Sequence, residues 1–148
     1  MNKLISILFF IFVGLFAKAQ PADITVYFPP KMEPGHEYLI KVTIDNYTLQ
    51  NFAELSVGYV DGMQINASQT AGAQVKDYGN VFKFYWDVLP VGKTLEVSYI
   101  LKVDKLPQQG FETKVLLTYL VNGQRGEATV SVHYKIRKEG NKVFALKG

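Results

Sequence analysis

The chain has 148 residues, of which 48% are hydrophobic and 20% charged, a balance that allows it to bury enough apolar surface to fold. This length predicts one domain, or one domain and a targeting segment. Because the sequence contains no cysteine, disulfide frameworks, thiolate zinc sites, iron–sulfur clusters and cysteine nucleophiles are excluded.

The first predicted element is a cleaved secretory signal. A positive charge at Lys3 precedes an apolar stretch, Leu4–Phe16, that is too short to span a bilayer. A small-x-small cleavage site, Ala17–Ala19, follows it. We therefore expect residues 1–19 to be removed and the protein to be exported to the periplasm or the cell surface, with no membrane span after cleavage.

Removal of this segment also changes the charge. The formal net charge of +3 includes Lys3 and Lys18, so the remaining chain carries 14 basic against 13 acidic side chains. Binding to nucleic acid needs a surplus of Lys and Arg on one face. No nucleic-acid partner is therefore predicted, and the remaining asymmetry is a basic C-terminal tail at residues 137–148.

Alternation of apolar and polar residues predicts β-strands through the rest of the chain. It is strongest over Tyr38–Ile44, Thr94–Val103 and Glu127–Ile136, where one side of each strand would be buried and the other wetted. Their β-branched and aromatic residues suit a pleated surface. Weaker candidates, separated by Pro, Gly and Asn turns, are Ile24–Phe28, Phe52–Val60, Met63–Ala67, Val81–Val88 and Phe111–Val121.

These segments predict an all-β fold of about eight strands. Short strands at this spacing, with no helical periodicity between them, are typical of an antiparallel sandwich or barrel. We place this domain at residues 20–136 and the basic tail outside it.

Two stretches of the chain resemble the immunoglobulin-like repeat domains of bacterial surface proteins. The first is a Pro-Gly turn, Glu33–Gly35, leading into a strand that ends in a Thr-x-x-Asn step at Asn46. The second is the aromatic strand Phe82–Val88, followed by a Leu-Pro turn and the alternating strand to Tyr99. The resemblance extends over about residues 24–136 and implies an immunoglobulin-like antiparallel β-sandwich.

A weaker similarity, to cohesin modules, rests on Pro34–Gly35 and the segment Asn51–Tyr59. Both resemblances imply a structural or binding module without an activity or a cofactor of its own. The partner implied is another envelope or surface protein.

The residues themselves show no catalytic or metal-binding motif. The two histidines, His36 and His133, are expected on solvated positions, and the carboxylates are dispersed along the chain. We therefore predict no catalytic residues, no metal and no cofactor. A small all-β hydrolase that brings together distant carboxylates, such as Asp87 and Glu112, is kept as a third alternative.

A candidate protein-binding surface lies on the strand Phe111–Val121. Leu116 and Leu120 occupy its predicted polar face and would form an exposed apolar patch. Phe144 and Leu146 in the tail are the other candidates. They could fold back over the two leucines, add as a strand to a partner's sheet, or pair with this domain's own edge strand.

The alternative ligand is a carbohydrate, bound by the aromatic strand. Alternation would bury Phe82, Phe84 and Trp86 and leave Tyr85 exposed, whereas a shift of one residue would expose Trp86. Tyr85 and Trp86 are thus the candidate sugar-binding residues. Taken together, the sequence predicts an exported, non-catalytic envelope protein that binds or assembles with another protein, with a carbohydrate-binding module as the alternative.

Overall fold

The computed structural model describes residues 22–45, 52–90, 92, 94–121 and 123–148. The predicted signal segment, residues 1–19, and Asn46 lie outside the described residues. The described residues form eleven strands. These are β1 Asp23–Tyr27, β2 Lys31–Met32, β3 His36–Asp45, β4 Ala53–Gly58, β5 Met63–Gln69, β6 Gln74–Asp77, β7 Val81–Trp86, β8 Thr94–Val103, β9 Phe111–Val121, β10 Gln124–Glu139 and β11 Lys142–Lys147.

The strands form two antiparallel sheets. A four-stranded sheet has the order β1-β3-β8-β5, and a seven-stranded sheet has the order β2-β11-β10-β9-β4-β7-β6. Each of the eight predicted strands is present, and β2, β6 and β11 are additional. Sequence reasoning missed β2 because it has two residues, and β6 because all four of its residues are exposed and show no apolar alternation.

One core fills the space between the sheets, because alternate side chains of the long strands point inward. Leu55 and Leu117 of the seven-stranded sheet are fully buried, as is Val97 of the four-stranded sheet. Phe84 crosses this space, with its ring 5.3 Å from that of Phe82 and 6.5 Å from that of Tyr99. The core contains no disulfide, because the chain has no cysteine.

The last strands extend beyond the predicted end of the sandwich at residue 136. Residues 137–148, predicted to be a basic tail, instead form the end of β10 and the strand β11, joined by a turn in which Gly140 has φ of 60°. Ala145 pairs with both Ile136 and Met32 and is fully buried. The basic side chains face solvent, and in β11 they flank the four apolar residues Val143–Leu146, so the charges hid the strand from the sequence pattern.

Buried tyrosines make the stability of this core sensitive to alkaline pH. Tyr134 stacks on Phe111 at 5.3 Å and donates a hydrogen bond from its hydroxyl to the Pro29 carbonyl oxygen at 2.7 Å. Burial raises the pKa of Tyr134 and of Tyr99 above the ordinary tyrosine value. Burial and the hydrogen bond donated to Asp77 raise the pKa of Tyr59 to about 12.

We therefore expect the contribution of these tyrosines to the free energy of unfolding to be constant well below pH 10, the ordinary tyrosine pKa, and to fall as the pH rises from about 10 towards 12. Between the unfolded and the folded pKa of a tyrosine, the unfolded chain loses the hydroxyl proton and the folded protein keeps it. The unfolded state is therefore favoured more as the pH rises through this range. Chemical unfolding at a series of alkaline pH values, with tyrosinate absorbance followed in parallel, measures this. A free energy that did not change between pH 10 and 12 would contradict the raised pKa values.

Candidate functional site

Strand β10 has different neighbours along its two halves. Its first half pairs with β9, from Gln124 opposite Val121 to Tyr134 opposite Phe111. Its second half, from Tyr134, pairs with β11, which lies on the side of β10 opposite β9. Over Gln124–Val132, therefore, no described strand occupies the second side of β10. We call this segment the open edge.

Two hydrogen bonds fix which backbone groups face the open edge. The Gly148 N–H donates to the His133 carbonyl oxygen at 2.9 Å, so His133 directs its backbone away from β9. The Leu120 N–H donates to the Phe52 carbonyl oxygen, so even-numbered residues of β9 bond to β4 and odd-numbered ones to β10. Both observations show that the odd-numbered residues of β10 direct their backbone N–H and C=O groups away from β9. The residues with N–H and C=O groups at the open edge are Arg125, Glu127, Thr129 and Ser131.

The side chains along the open edge alternate between two environments. Ala128, Val130 and Val132 point toward the core but are only half-buried, and Ile24 and Val26 of the adjacent β1 are half-buried as well. The odd-numbered side chains lie on the solvent face of the sheet and are polar. Arg125 and Glu127 form an ion pair at 2.9 Å on this face. The margin between the two sheets therefore presents backbone groups that no described strand pairs with, beside partly covered apolar side chains.

The outermost strands of the two sheets, β1, β5, β2 and β6, carry features that limit pairing with further chains. Such features are short length, charged side chains (lysine above all), a proline or a β-bulge. Strand β5 has a register shift between Ala67 and Gln69, β6 is four residues long and contains Lys76, and β2 is two residues long. The edge strand β1 has five residues and leads to Pro29 and Pro30. The open edge contains no proline or lysine, its two charged side chains, Arg125 and Glu127, pair with each other, and its pairing with β9 has no register shift.

Leu116 and Leu120 lie on the outer face of β9, directly beside the open edge. Leu116 is opposite Thr129 and half-buried, whereas Leu120 is opposite Arg125 and 37% exposed. Phe52, which is 38% exposed, is bonded to Leu120 through the backbone. The leucines thus form a small apolar surface next to the open edge.

Phe144 and Leu146 lie elsewhere. Strand β11 pairs with the far end of β10, so it does not fold back over Leu116 or Leu120 and instead pairs with the domain's own edge strand. Phe144 is 7% exposed, with the Lys31 ammonium nitrogen 3.8 Å from its ring centroid. Leu146 is half-buried. The structure therefore does not bring these two residues together with the leucines of β9.

The aromatic strand β7 has the phase that alternation predicts. Trp86 is 2% exposed, and its indole Nε1 donates a hydrogen bond to the Ala71 carbonyl oxygen at 3.0 Å. Tyr85 is half-buried on the outer face of the sheet. A sugar ring stacks on an exposed aromatic face, which Trp86 does not offer.

The carboxylates considered for hydrolysis are far apart. Asp87 follows β7 at the end of the sheet where Trp86 pairs with Ala53, while Glu112 lies beyond the opposite end of β4. Among the described residues, no three His, Asp or Glu side chains are grouped closely enough to hold a metal ion. The described part of the chain also contains no helix with the length and hydropathy needed to cross a membrane.

Sequence reasoning identified Leu116 and Leu120 but missed the open edge. The alternation over Glu127–Ile136 indicated a strand, yet it carries no information on which strands lie beside it. The sequence did contain one signal for the open edge, the turn at Gly140–Asn141 followed by four apolar residues. These features predict a short hairpin, whose second strand pairs with β10 only near the end of β10.

The sheet order and the core define the class of the domain, and the predicted immunoglobulin-like antiparallel β-sandwich is confirmed. The chain is similar to the full-length major pilin SpaD from Corynebacterium diphtheriae, with 9% identity, a TM-score of 0.59 and coverage of 81% of this chain and 38% of the pilin. At this identity the likeness concerns the fold, and it extends over well under half of the pilin.

Two further solved structures show weaker likeness. A non-cellulosomal cohesin from the hyperthermophilic archaeon Archaeoglobus fulgidus is 15% identical over 74% of this chain and 89% of its own, with a TM-score of 0.48. An exo-β-N-acetylglucosaminidase from Vibrio harveyi is 15% identical over 74% of this chain and 17% of its own, with a TM-score of 0.42. No protein-family model and no curated protein sequence matches the chain.

Proposed function

We propose that this protein is an exported, non-catalytic module of the cell envelope that binds or assembles with another protein by adding an extended segment of that protein to the open edge of β10. The observation that carries the proposal is the run of outward backbone groups from Arg125 to Ser131 without a described partner strand. The predicted signal, residues 1–19, would direct export and be cleaved after Ala19.

Strand addition suits this edge because the main-chain groups there are already aligned for a ladder. Each hydrogen bond formed contributes about 0.5–1.5 kcal/mol net, so several in a row give useful affinity. The half-buried Val130 and Val132 offer apolar contacts to alternate side chains of the incoming segment. Backbone pairing would supply affinity and these contacts would supply specificity.

The leucines of β9 extend the same binding surface. An incoming chain would be separated from Leu116 and Leu120 by β10. Residues of the incoming chain outside its paired segment could contact the two leucines. The exposed Phe52 enlarges this apolar area. We therefore expect Leu116 and Leu120 to contribute to binding, while Phe144 and Leu146 act in the fold of β11.

Cross-linked recovery of partners from native cells tests the proposal through position 129. Thr129→Pro removes an N–H group that faces the open edge and should abolish recovery of proteins that the unaltered chain captures. Thr129→Ala removes the same side chain but keeps the N–H group, so it should capture them as the unaltered chain does. Equal recovery by the proline and alanine variants would overturn strand addition.

A further inference from the structure

We propose that the strand added at the open edge is β10 of a second copy of this protein, running antiparallel about a two-fold axis. This inference rests on the proposed function, since it names the partner of the same edge. A symmetric pair of this kind would join two seven-stranded sheets into one continuous sheet.

The ends of the open edge define how far two copies can pair. The Gly148 N–H bonds to the His133 carbonyl oxygen, which closes the edge beyond Val132. The hairpin to β9 closes it before Gln124. The longest antiparallel register therefore places Gln124 opposite Val132 of the second copy, with Ala128 on the two-fold axis.

In this register the outward backbone groups match one another. Arg125 lies opposite Ser131 of the second copy, and Glu127 lies opposite Thr129 of the second copy. Because residues that face the edge exchange both hydrogen bonds in an antiparallel pair, the two copies would form about eight. All four outward-facing residues of each copy would then have backbone partners.

Neighbouring registers are less favourable. A shift of two residues in one direction places Arg125 opposite His133 of the second copy, whose carbonyl oxygen already accepts from Gly148. The opposite shift places Glu127 directly opposite its own equivalent, and like charges facing each other destabilise a sheet. In the preferred register no charged residues face each other, and each Glu127 is already paired with Arg125 of its own chain at 2.9 Å.

The side chains at the axis also permit close approach. Ala128 is small and half-buried, and it would meet Ala128 of the second copy beside the core. Gly126, which would face Val130 of the second copy, has no side chain because the Tyr119 ring occupies the position of a Cβ atom. Pairing would therefore cover the apolar margin without introducing a bulky group at the axis.

Because the chain contains no cysteine, single cysteines can report this register. Ala128→Cys would face its equivalent at a Cα separation of about 4.5 Å, within disulfide range. Ser131→Cys lies on the same strand, but about 20 Å would separate the two copies of that residue. After mild oxidation of protein purified after export, we expect a disulfide-linked dimer of Ala128→Cys and monomers of Ser131→Cys.

Sedimentation of the unaltered protein provides the second readout. We expect a concentration-dependent dimer that Thr129→Pro converts to a monomer and Thr129→Ala retains. A monomer at all concentrations up to about 1 mM, with no Ala128→Cys dimer, would overturn self-pairing. If the protein is a monomer but Thr129→Pro still loses its native partners, self-pairing is overturned while strand addition by another protein is supported. Equal cross-linking of the two cysteine variants would also overturn the proposed pairing.

Discussion

Proline at position 130 is expected to destabilise the domain strongly, whereas proline at position 129 is expected to leave its stability nearly unchanged. The two positions are adjacent on β10, and both side chains are tolerant of change, since Val130 is half-buried and Thr129 exposed. What differs is the direction in which each residue points its backbone N–H group. Val130 directs its N–H group to β9 opposite Val115, and Thr129 directs its N–H group to the open edge.

The expected magnitudes follow from the hydrogen bonds lost. Val130→Pro removes a bond within the sheet, leaves a buried carbonyl group without its donor and introduces steric strain, for a loss of about 3 kcal/mol in the free energy of unfolding. Thr129→Pro removes no bond within the domain, and proline is accepted on edge strands whose N–H faces solvent. We expect a loss of about 1 kcal/mol or less for Thr129→Pro.

Urea unfolding of the two proline variants and of Thr129→Ala and Val130→Ala measures this contrast. The alanine variants report the loss of each side chain without the change in backbone. Equal destabilisation by the two proline variants would contradict the assignment of outward-facing residues and, with it, the existence of the open edge.

Trp86→Ala is expected to lower the free energy of unfolding by about 3–5 kcal/mol, the range for truncating a large buried aromatic side chain. Trp86 is 2% exposed, and its loss would leave a cavity beneath β7. The indole also bonds to the carbonyl oxygen of Ala71, which has φ of 48°, an uncommon value for a residue with a side chain. The indole therefore holds a turn as well as filling the core.

Thermal unfolding and glycan titration of the same variants test this structural role. Trp86→Phe should lie between the unaltered chain and Trp86→Ala, because it fills most of the volume but lacks the N–H donor. Tryptophan emission of the unaltered protein should not change when glycans are added. A stable Trp86→Ala variant that had lost affinity for a glycan would contradict the buried role and restore the carbohydrate-binding alternative.

Much of the fold could be predicted because burial on one side leaves a local trace in the sequence. Alternation over Thr94–Val103 and Phe111–Val121 located two long strands. Alternation along β7 correctly predicted that Trp86 is buried. Strand β11 left a weaker trace, since its four apolar residues, Val143–Leu146, lie between lysines. Short, charged strands depend on their neighbours for stability, and no local pattern specifies those neighbours.

The candidate site was predicted in part for the same reason. Leu116 and Leu120 could be assigned to an outer face because their positions in the alternation are anomalous. The open edge has no such signature, because Thr129 and Ser131 are ordinary residues for a solvent-facing side of a strand. It arises from where β11 stops on β10, which is a property of the assembled sheet.

Amide hydrogen exchange along β10, measured by NMR on the protein purified after export, tests strand addition at the open edge. In dilute solution we expect slow exchange at Val130 and Val132 and fast exchange at Glu127, Thr129 and Ser131. Under conditions where the protein assembles, the amides of Glu127, Thr129 and Ser131 should become protected, because each gains a partner strand. Assembly that left these three amides exchanging as fast as in the free protein would contradict strand addition at the open edge.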